Sequence, residues 1–325
     1  MLSSRPFQNR NSETCMKVSV EQNGLLSLII DNGRQGKQHQ GFCQSGPMDE
    51  EAYWWANYLA GNQEGTPCIE IIGCAKFVCD TDAQVAATGR NVVCLVNDQS
   101  VSPFETIFVK AGDRVSIDSE HMGSKAYLAI HGRWQVPSPL GSASTVLREG
   151  IGGLENKGAP LGVGDTINIE TPTIQNAHRA LAPKYWPQYD LSQPLALILG
   201  YQEDKFSASE KGRLFLNEYT VTTNINRMGY RLSGSPIHSN MTKMRSEAIH
   251  IGAMQIPPDG QPIVMMRDRQ TLGGYPKLGS VSLLDVNRLA QAVPGETVTF
   301  MSQHYDDARA AFLLNWQKRL RLTGE

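Results

Sequence analysis

Apolar residues in this chain come mostly in short runs of three to six, separated by turns rich in Gly, Pro, Asn and Asp. That pattern reads as many short strands rather than long helices. Lys17 to Ile30 predicts a strand, a turn at Gln22-Asn23-Gly24, and a second strand. Further strands are predicted at Cys68–Ile72, Lys76–Cys79, Gln84–Thr88, Val92–Val96, Thr106–Val109, Arg114–Ile117, Lys125–Ile130 and Thr166–Ile169. Their spacing is that of a barrel or sandwich. After a proline-rich stretch, Leu195–Leu199 and Ile263–Met266 read as buried strands.

Helical spacing occurs in four places. After Ser45-Gly46-Pro47-Met48-Asp49, the residues Ala52, Trp55, Ala56 and Leu59 form one face, with Asp49, Glu50 and Glu51 placed to meet the helix dipole. Ser207 to Glu218 begins with a serine cap, Leu283 to Ala292 is a short helix, and Tyr305 to Leu322 is helical. In the last, Ala308, Ala311, Phe312, Asn315, Trp316 and Leu320 predict a stripe. The organisation expected is an extension over 1–16, a β-rich half over 17–170, a linker over 171–194, a second β half over 195–304, and a C-terminal helix over 305–325. Arg34-Gln35-Gly36 with Gly41 recurs as Arg227-Met228-Gly229 with Gly234, and Ala111-Gly112-Asp113 is echoed at Pro294-Gly295-Glu296, which argues for two related halves.

Composition narrows the function. The chain has 325 residues and a formal charge of −2, with no basic excess to attract nucleic acid or an anionic membrane. No run of 18 apolar residues predicts a membrane helix, and the polar start lacks the core of a secretory signal. A cytoplasmic protein with reduced thiols is expected, because all six cysteines lie between Cys15 and Cys94 without Cys-x-x-Cys spacing. The seven dispersed histidines add no metal signature, so no metal site is expected.

The densest chemistry lies between Ile256 and Lys277. A turn containing Asp259 and Gln261 leads to an apolar run, then to Asp268, Arg269, Gln270 and Thr271, the flexible pair Gly273-Gly274, and Tyr275 and Lys277. Lys277 is read as an oxyanion stabiliser and Asp268 as a group that orients water or a base, with Gln270, Thr271 and Tyr275 completing a polar wall. A solvated hairpin is the alternative for this stretch. Arg34 and Arg227 are read as anion binders because guanidinium pairs bidentately with carboxylate or phosphate, the alternative being arginines that brace loops. His39 is an acid or base on a Gly-rich loop. Arg148-Glu149-Gly150-Ile151-Gly152-Gly153 is neither a P-loop nor a dinucleotide fingerprint.

These motifs, in this order, resemble one family. They are Asp-Asn-Gly-Arg-x-Gly from Asp31, Ser-Gly-Pro-Met-Asp from Ser45, Gly-Ser-x-Ser-Thr from Gly141, Gly-x-Gly-Gly-Leu-Glu-Asn-Lys from Gly150, Asn-Arg-Met-Gly-Tyr-Arg-Leu from Asn226, and the Pro258–Lys277 stretch. The chain is similar to the biotin-dependent carboxyltransferase-like family, which includes the C-type component of 5-oxoprolinase, the KipI antagonist and the allophanate hydrolase subunit 2 type. The resemblance implies a mainly β, cyclophilin-like barrel architecture. It implies a heteromer with a B-type partner protein, joined by an A-type protein in the 5-oxoprolinase complex. It implies ATP-driven opening of 5-oxoproline, a small-molecule lactam, to glutamate, with ATP on a partner because this sequence has no nucleotide motif. Leu272 stands where many members carry a second threonine, and no biotin-acceptor lysine motif occurs, so no attached biotin is expected. A regulatory binding protein and a carboxyltransferase module are the other readings the resemblance offers.

Overall fold

The computed structural model describes residues 14–119, 125–171, 177–241 and 244–324. The first half of the chain builds two sheets. One runs in the order Arg133–Trp134, Thr166–Thr171, Thr14–Asn23, Cys74–Cys79, Arg114–Asp118, Val93–Val96, Gln99–Val101. The other runs Leu26–Ile30, Cys68–Ile72, Ala126–Ile130, Ala83–Gly89, Ile107–Val109. Inward residues of both, such as Val18, Phe77, Val85 and Leu128, share one core. Helix α1 (Glu50–Ala60) covers the opposite face of the second sheet, packing Ala52, Trp55, Ala56 and Leu59 against Ala86, Tyr127 and Ala129.

The second half carries an eight-stranded sheet whose order runs from Thr297–Val298 at one edge to Phe300–Ser302 at the other. Only Thr299 separates those two edge strands in the chain, so the sheet's edges meet and it nearly closes on itself. Closure removes the unpaired backbone that an open edge would expose. Helices α2 (Ala208–Leu216) and α3 (Leu283–Ala290) contribute Leu214, Val286 and Leu289 to its core. Ser207 caps α2 and Ser282 caps α3, each accepting from a backbone N–H three residues on. The fold is mainly β and barrel-like, as the strand pattern predicts.

Several boundaries differ from the sequence reading. The first strand starts at Thr14, and α1 starts after Asp49, which is its cap, accepting from Ala52 N at 3.1 Å. Ser45 and Pro47 lie before the helix. Of the expected linker, residues 172–176 lie outside those described. Beyond them the segment is a strap on the first half: Leu181 is buried, and Trp186 stacks on Phe104 with centroids 4.7 Å apart.

Helix α4 (Tyr305–Thr323) also departs from expectation. Its buried residue is Arg319, paired with Glu51, while the expected stripe residues Phe312 and Trp316 are more than a third exposed. The longer glycine repeat is not a conformational one either. Gly36 and Gly41 have positive φ in open turns, whereas Gly229 and Gly234 lie in a strand without it. The shorter echo is faithful, since Gly112 and Gly295 both form open turns at φ +85° and +95°.

Candidate functional site

The two halves meet around a buried ionic network. Glu70 interrupts the apolar strand Cys68–Ile72, and Arg227 follows the strand Tyr219–Ile225. Arg227 Nη1 donates to Glu70 Oε1 at 2.5 Å, and Nε and Nη2 donate to the two oxygens of Asp268 at 2.8 and 2.9 Å. Nη2 also donates to Gly46 O and Ser45 Oγ. All three nitrogens of Arg227 are thereby engaged within the protein. Arg227 is a brace between the halves, not the anion binder expected, and Asp268 is the carboxylate that holds it. Burial works against the Arg227 charge, yet Asp268 and Glu70 outweigh it and raise its pKa.

Glu70 is fully partnered in turn. Its Oε2 accepts from Met48 N at 2.9 Å and from the Tyr127 hydroxyl at 2.7 Å. Burial pushes its pKa up, but Arg227 and Lys125 win and hold it below the ordinary glutamate value. Asp49 N donates to Tyr127 Oη, and Asp49 Oδ2 accepts from Gln291 at the end of α3. Burial lifts the Asp49 pKa to about 6, against the opposing effects of Tyr189, Gln291 and Ala52 N.

Next to this brace lie two loops from the first half. Asp31 accepts from Gly33 N, Ser142 Oγ, Ala143 N and Ser144 Oγ, clamping the segment 142–145 onto the turn that carries Arg34. The Arg34 side chain has no exposed surface. Its Nη2 donates to Ser144 O at 2.6 Å and Ser142 O at 3.4 Å. Burial lowers the Arg34 pKa, opposed by Cys43, Asp31, Glu149 and Asp268. Glu149 Oε1 accepts from Cys43 N at 3.0 Å. Burial, with the Asp268 and Glu149 charges, pushes the Cys43 thiol up to about 12, so it is neutral and unreactive near pH 7.

The second half supplies a strip, 247–250, that holds two cations. Ile249 O accepts from Arg269 Nε at 3.1 Å, and Ala248 O accepts from Lys277 Nζ at 3.0 Å. Lys277 Nζ also pairs with Glu247 at 3.1 Å and lies 5.3 Å from the centroid of the Tyr201 ring. Burial lowers the Lys277 pKa, but Tyr201 and Glu247 reverse the shift, so the ammonium is a fixed positive charge. Arg269 is lowered to about 10 by burial and by Arg267. His250 is exposed at its edge, and burial of part of the ring together with the Lys277 and Arg269 charges lowers its pKa. Its imidazole is therefore neutral near pH 7.

The remaining sequence-predicted residues divide. Gln270 and Thr271 are half-buried beside Arg269, and Thr271 O accepts from Ile249 N. Gly273 is buried where a Cβ would lie 2.3 Å from Ile249 Cδ1, while Gly274 is exposed. Tyr275 is 42% exposed and faces a recess of about 290 Å³ with His238 and Pro257. Asp259 pairs with Arg231, and Gln261 clamps both backbone groups of Gly234, so these two stabilise a turn. His39 is exposed with Gln40 as its side-chain neighbour. Among the described residues no His, Cys, Asp and Glu group is arranged for a metal ion, and all six cysteines are free thiols.

Sequence reasoning missed Glu70, Glu149 and His250, and gave no role to Arg269 within the polar set Asp268–Thr271. A lone carboxylate inside Cys68–Ile72 was a legible signal for Glu70, since a buried charge needs a partner. Glu149 stood within the Gly-rich motif but was read only for its glycines. His250 carried no pattern.

Residues 40–302 match the family described as carboxyltransferase domain, subdomain A and B. The C subunit of Haemophilus influenzae 5-oxoprolinase is 32% identical over 87% of this chain and 90% of its own. The Lachancea kluyveri urea amidolyase is 28% identical over 88% of this chain but only 17% of its own. Among solved structures, TTHA0988 superposes with a TM-score of 0.79 at 30% identity, covering 88% of this chain and 55% of that one. The K. lactis urea amidolyase gives 0.80 at 28% identity, covering 90% and 19%. This chain therefore spans about half of the TTHA0988 chain and about a fifth of that amidolyase. With most of its length matched, the chain belongs to the carboxyltransferase domain, subdomain A and B family.

Proposed function

We propose that this chain is the C-type component of an ATP-dependent 5-oxoprolinase, acting with A-type and B-type partners to open the lactam of 5-oxoproline to glutamate. The observation that carries this reading is reciprocal coverage. The C-type relatives of H. influenzae and Escherichia coli are matched over 90% and 92% of their own lengths, against 17% for the L. kluyveri amidolyase. A chain that covers about nine-tenths of the C-type relatives is read as a component of that type.

The chemistry fits a shared site. A lactam is a stable amide, and ATP held by a partner activates its carbonyl for attack by water. This chain contributes buried loops that exclude bulk water and fixed cations whose charge opposes the negative charge that develops at carbon-bound oxygen. Lys277 and Arg269 are read as those cations, and neutral His250, whose pKa both charges lower, is read as the proton acceptor. No biotin is attached to this chain in the proposal.

A second reading has its own support, because the fungal urea amidolyases and a putative urea carboxylase match over most of this chain. There the domain would move a carboxyl group. Reconstitution decides between them. Glutamate release from 5-oxoproline and ATP is measured with the partner proteins, with and without this chain, and with Lys277→Met. Dependence on this chain, and loss of turnover in the variant while the complex assembles, supports the lactamase reading. Turnover without this chain removes it, and carboxylation of urea by a biotin-bearing partner replaces it.

A further inference from the structure

Two buried groups on neighbouring loops have unmet hydrogen-bonding capacity of opposite kinds. Arg34 Nε and Nη1 are buried and meet no acceptor among the described residues. Glu149, its side chain 10% exposed, keeps Oε1 on Cys43 N and Arg148, while Oε2 is buried without a donor. Both residues pack on the segment 43–44. Arg34 N donates to Gln44 O, and Cys43 N, one residue earlier, donates to Glu149. Gly152, three residues after Glu149, has φ +74° and would place a Cβ 2.6 Å from Arg34 Nη2, so only glycine lets the guanidinium lie against that loop.

Leaving buried polar groups unpaired costs about 1–3 kcal/mol each, and more for charged ones. Their pairing defines the partner that would offset this. Nη2 belongs to both two-pronged edges of a guanidinium and is already engaged by Ser144 O and Ser142 O. Arg34 thus offers single N–H groups, not the fork a carboxylate prefers. A carboxylate would also face the Glu149 charge. What fits is a neutral group with an acceptor and a donor side by side.

We propose that Arg34 and Glu149 form a subsite for a cis secondary amide, as in a five-membered lactam or a ureido group: the guanidinium donates to the carbonyl oxygen and Glu149 Oε2 accepts from the adjacent N–H. This deepens the reading above, on which it rests for the identity of the substrate, though binding itself needs no partner protein.

The test uses the full chain and three small probes, followed by NMR or calorimetric titration. 2-Pyrrolidinone has the carbonyl and the N–H, N-methyl-2-pyrrolidinone lacks the N–H, and cyclopentanecarboxylate has the acid without the amide. 2-Pyrrolidinone is expected to bind, the N-methyl probe at least about tenfold more weakly, and the acid not to compete. Glu149→Gln is expected to weaken 2-pyrrolidinone by about tenfold, with thermal unfolding showing that the variant folds. The probe comparison keeps the test alive if the variant does not. Equal binding of both lactams, tighter binding of the acid, or no lactam binding up to about 100 mM would overturn the subsite; the last result means that water alone satisfies the pair. In the assembled complex, turnover that needs this chain but keeps its KM in Glu149→Gln removes the subsite and leaves the function standing. Turnover that does not need this chain removes the function, and the probe titrations still decide the subsite.

Discussion

Arg34 and Arg227 sit in the same local motif, each two residues before a glycine with another glycine five on, and both are buried. Arg227 spans the two halves and has carboxylates on opposite sides, with every nitrogen engaged. Among the described residues Arg34 stays within the first half, its side chain bonds only backbone carbonyls, and two of its nitrogens are unengaged. The same short motif thus serves cohesion in one place and leaves recognition capacity in the other. What separates them is the partner that the fold brings, not the local sequence.

The largest expected effect comes from removing the brace. Arg227→Met leaves Glu70 and Asp268 buried without their counter-charge, and chemical denaturation is expected to show a loss of about 3–5 kcal/mol. A loss under about 1 kcal/mol would dissolve the distinction between the two arginines.

Acid titration gives the next largest. Asp49 belongs to the same network, and its folded pKa of about 6 lies above the unfolded value. The folded state binds the proton more tightly, so this group makes stability fall as pH rises from about 4 to about 6, by roughly 3 kcal/mol when fully developed. Asp49→Asn keeps a helix cap and is expected to flatten that slope relative to wild type in denaturation at stepped pH. Glu70 acts in the opposite sense. Its lowered pKa contributes stability above the unfolded glutamate value, and that contribution is lost as pH falls through the folded one.

Arg34→Met is expected to cost about 1–2 kcal/mol in the same denaturation assay. It gives up two backbone hydrogen bonds but also relieves a partly unpaired buried charge. A cost equal to that of Arg227→Met would mean that Arg34 is a brace as well. The smallest effect calibrates the series: Asp82→Ala, which removes the exposed pair with Lys110, is expected to leave the denaturation midpoint unchanged within error.

The strands and helices were legible because burial imposes a period. Cys68–Ile72 and Leu195–Leu199 fall at their expected bounds, and α2 and α3 differ from expectation only at their C-terminal ends. The short pairs Gln99–Val101 and Phe300–Ser302 were not legible, since two or three residues carry no period. The Asp268–Lys277 stretch stands out in the sequence for its polar density, but the contacts its residues make depend on distant partners. Nothing near Asp268 in sequence announces Arg227, and nothing near Lys277 announces Glu247. Helix α4 failed for a related reason: its apolar residues suggested a stripe, while the contact that anchors it is ionic, from Arg319 to Glu51.

The first turn of α1 has a consequence in time. Its three consecutive acids each reach a different later segment: Asp49 meets Gln291, Glu50 meets Arg267, and Glu51 meets Arg319. The last two residues are 268 positions apart in the chain. At translation speeds of about 5–20 residues per second, roughly 15–50 s pass between synthesis of Glu51 and synthesis of its arginine. During that interval the emerging first half carries an acidic docking face that cannot close until Arg319 has been made.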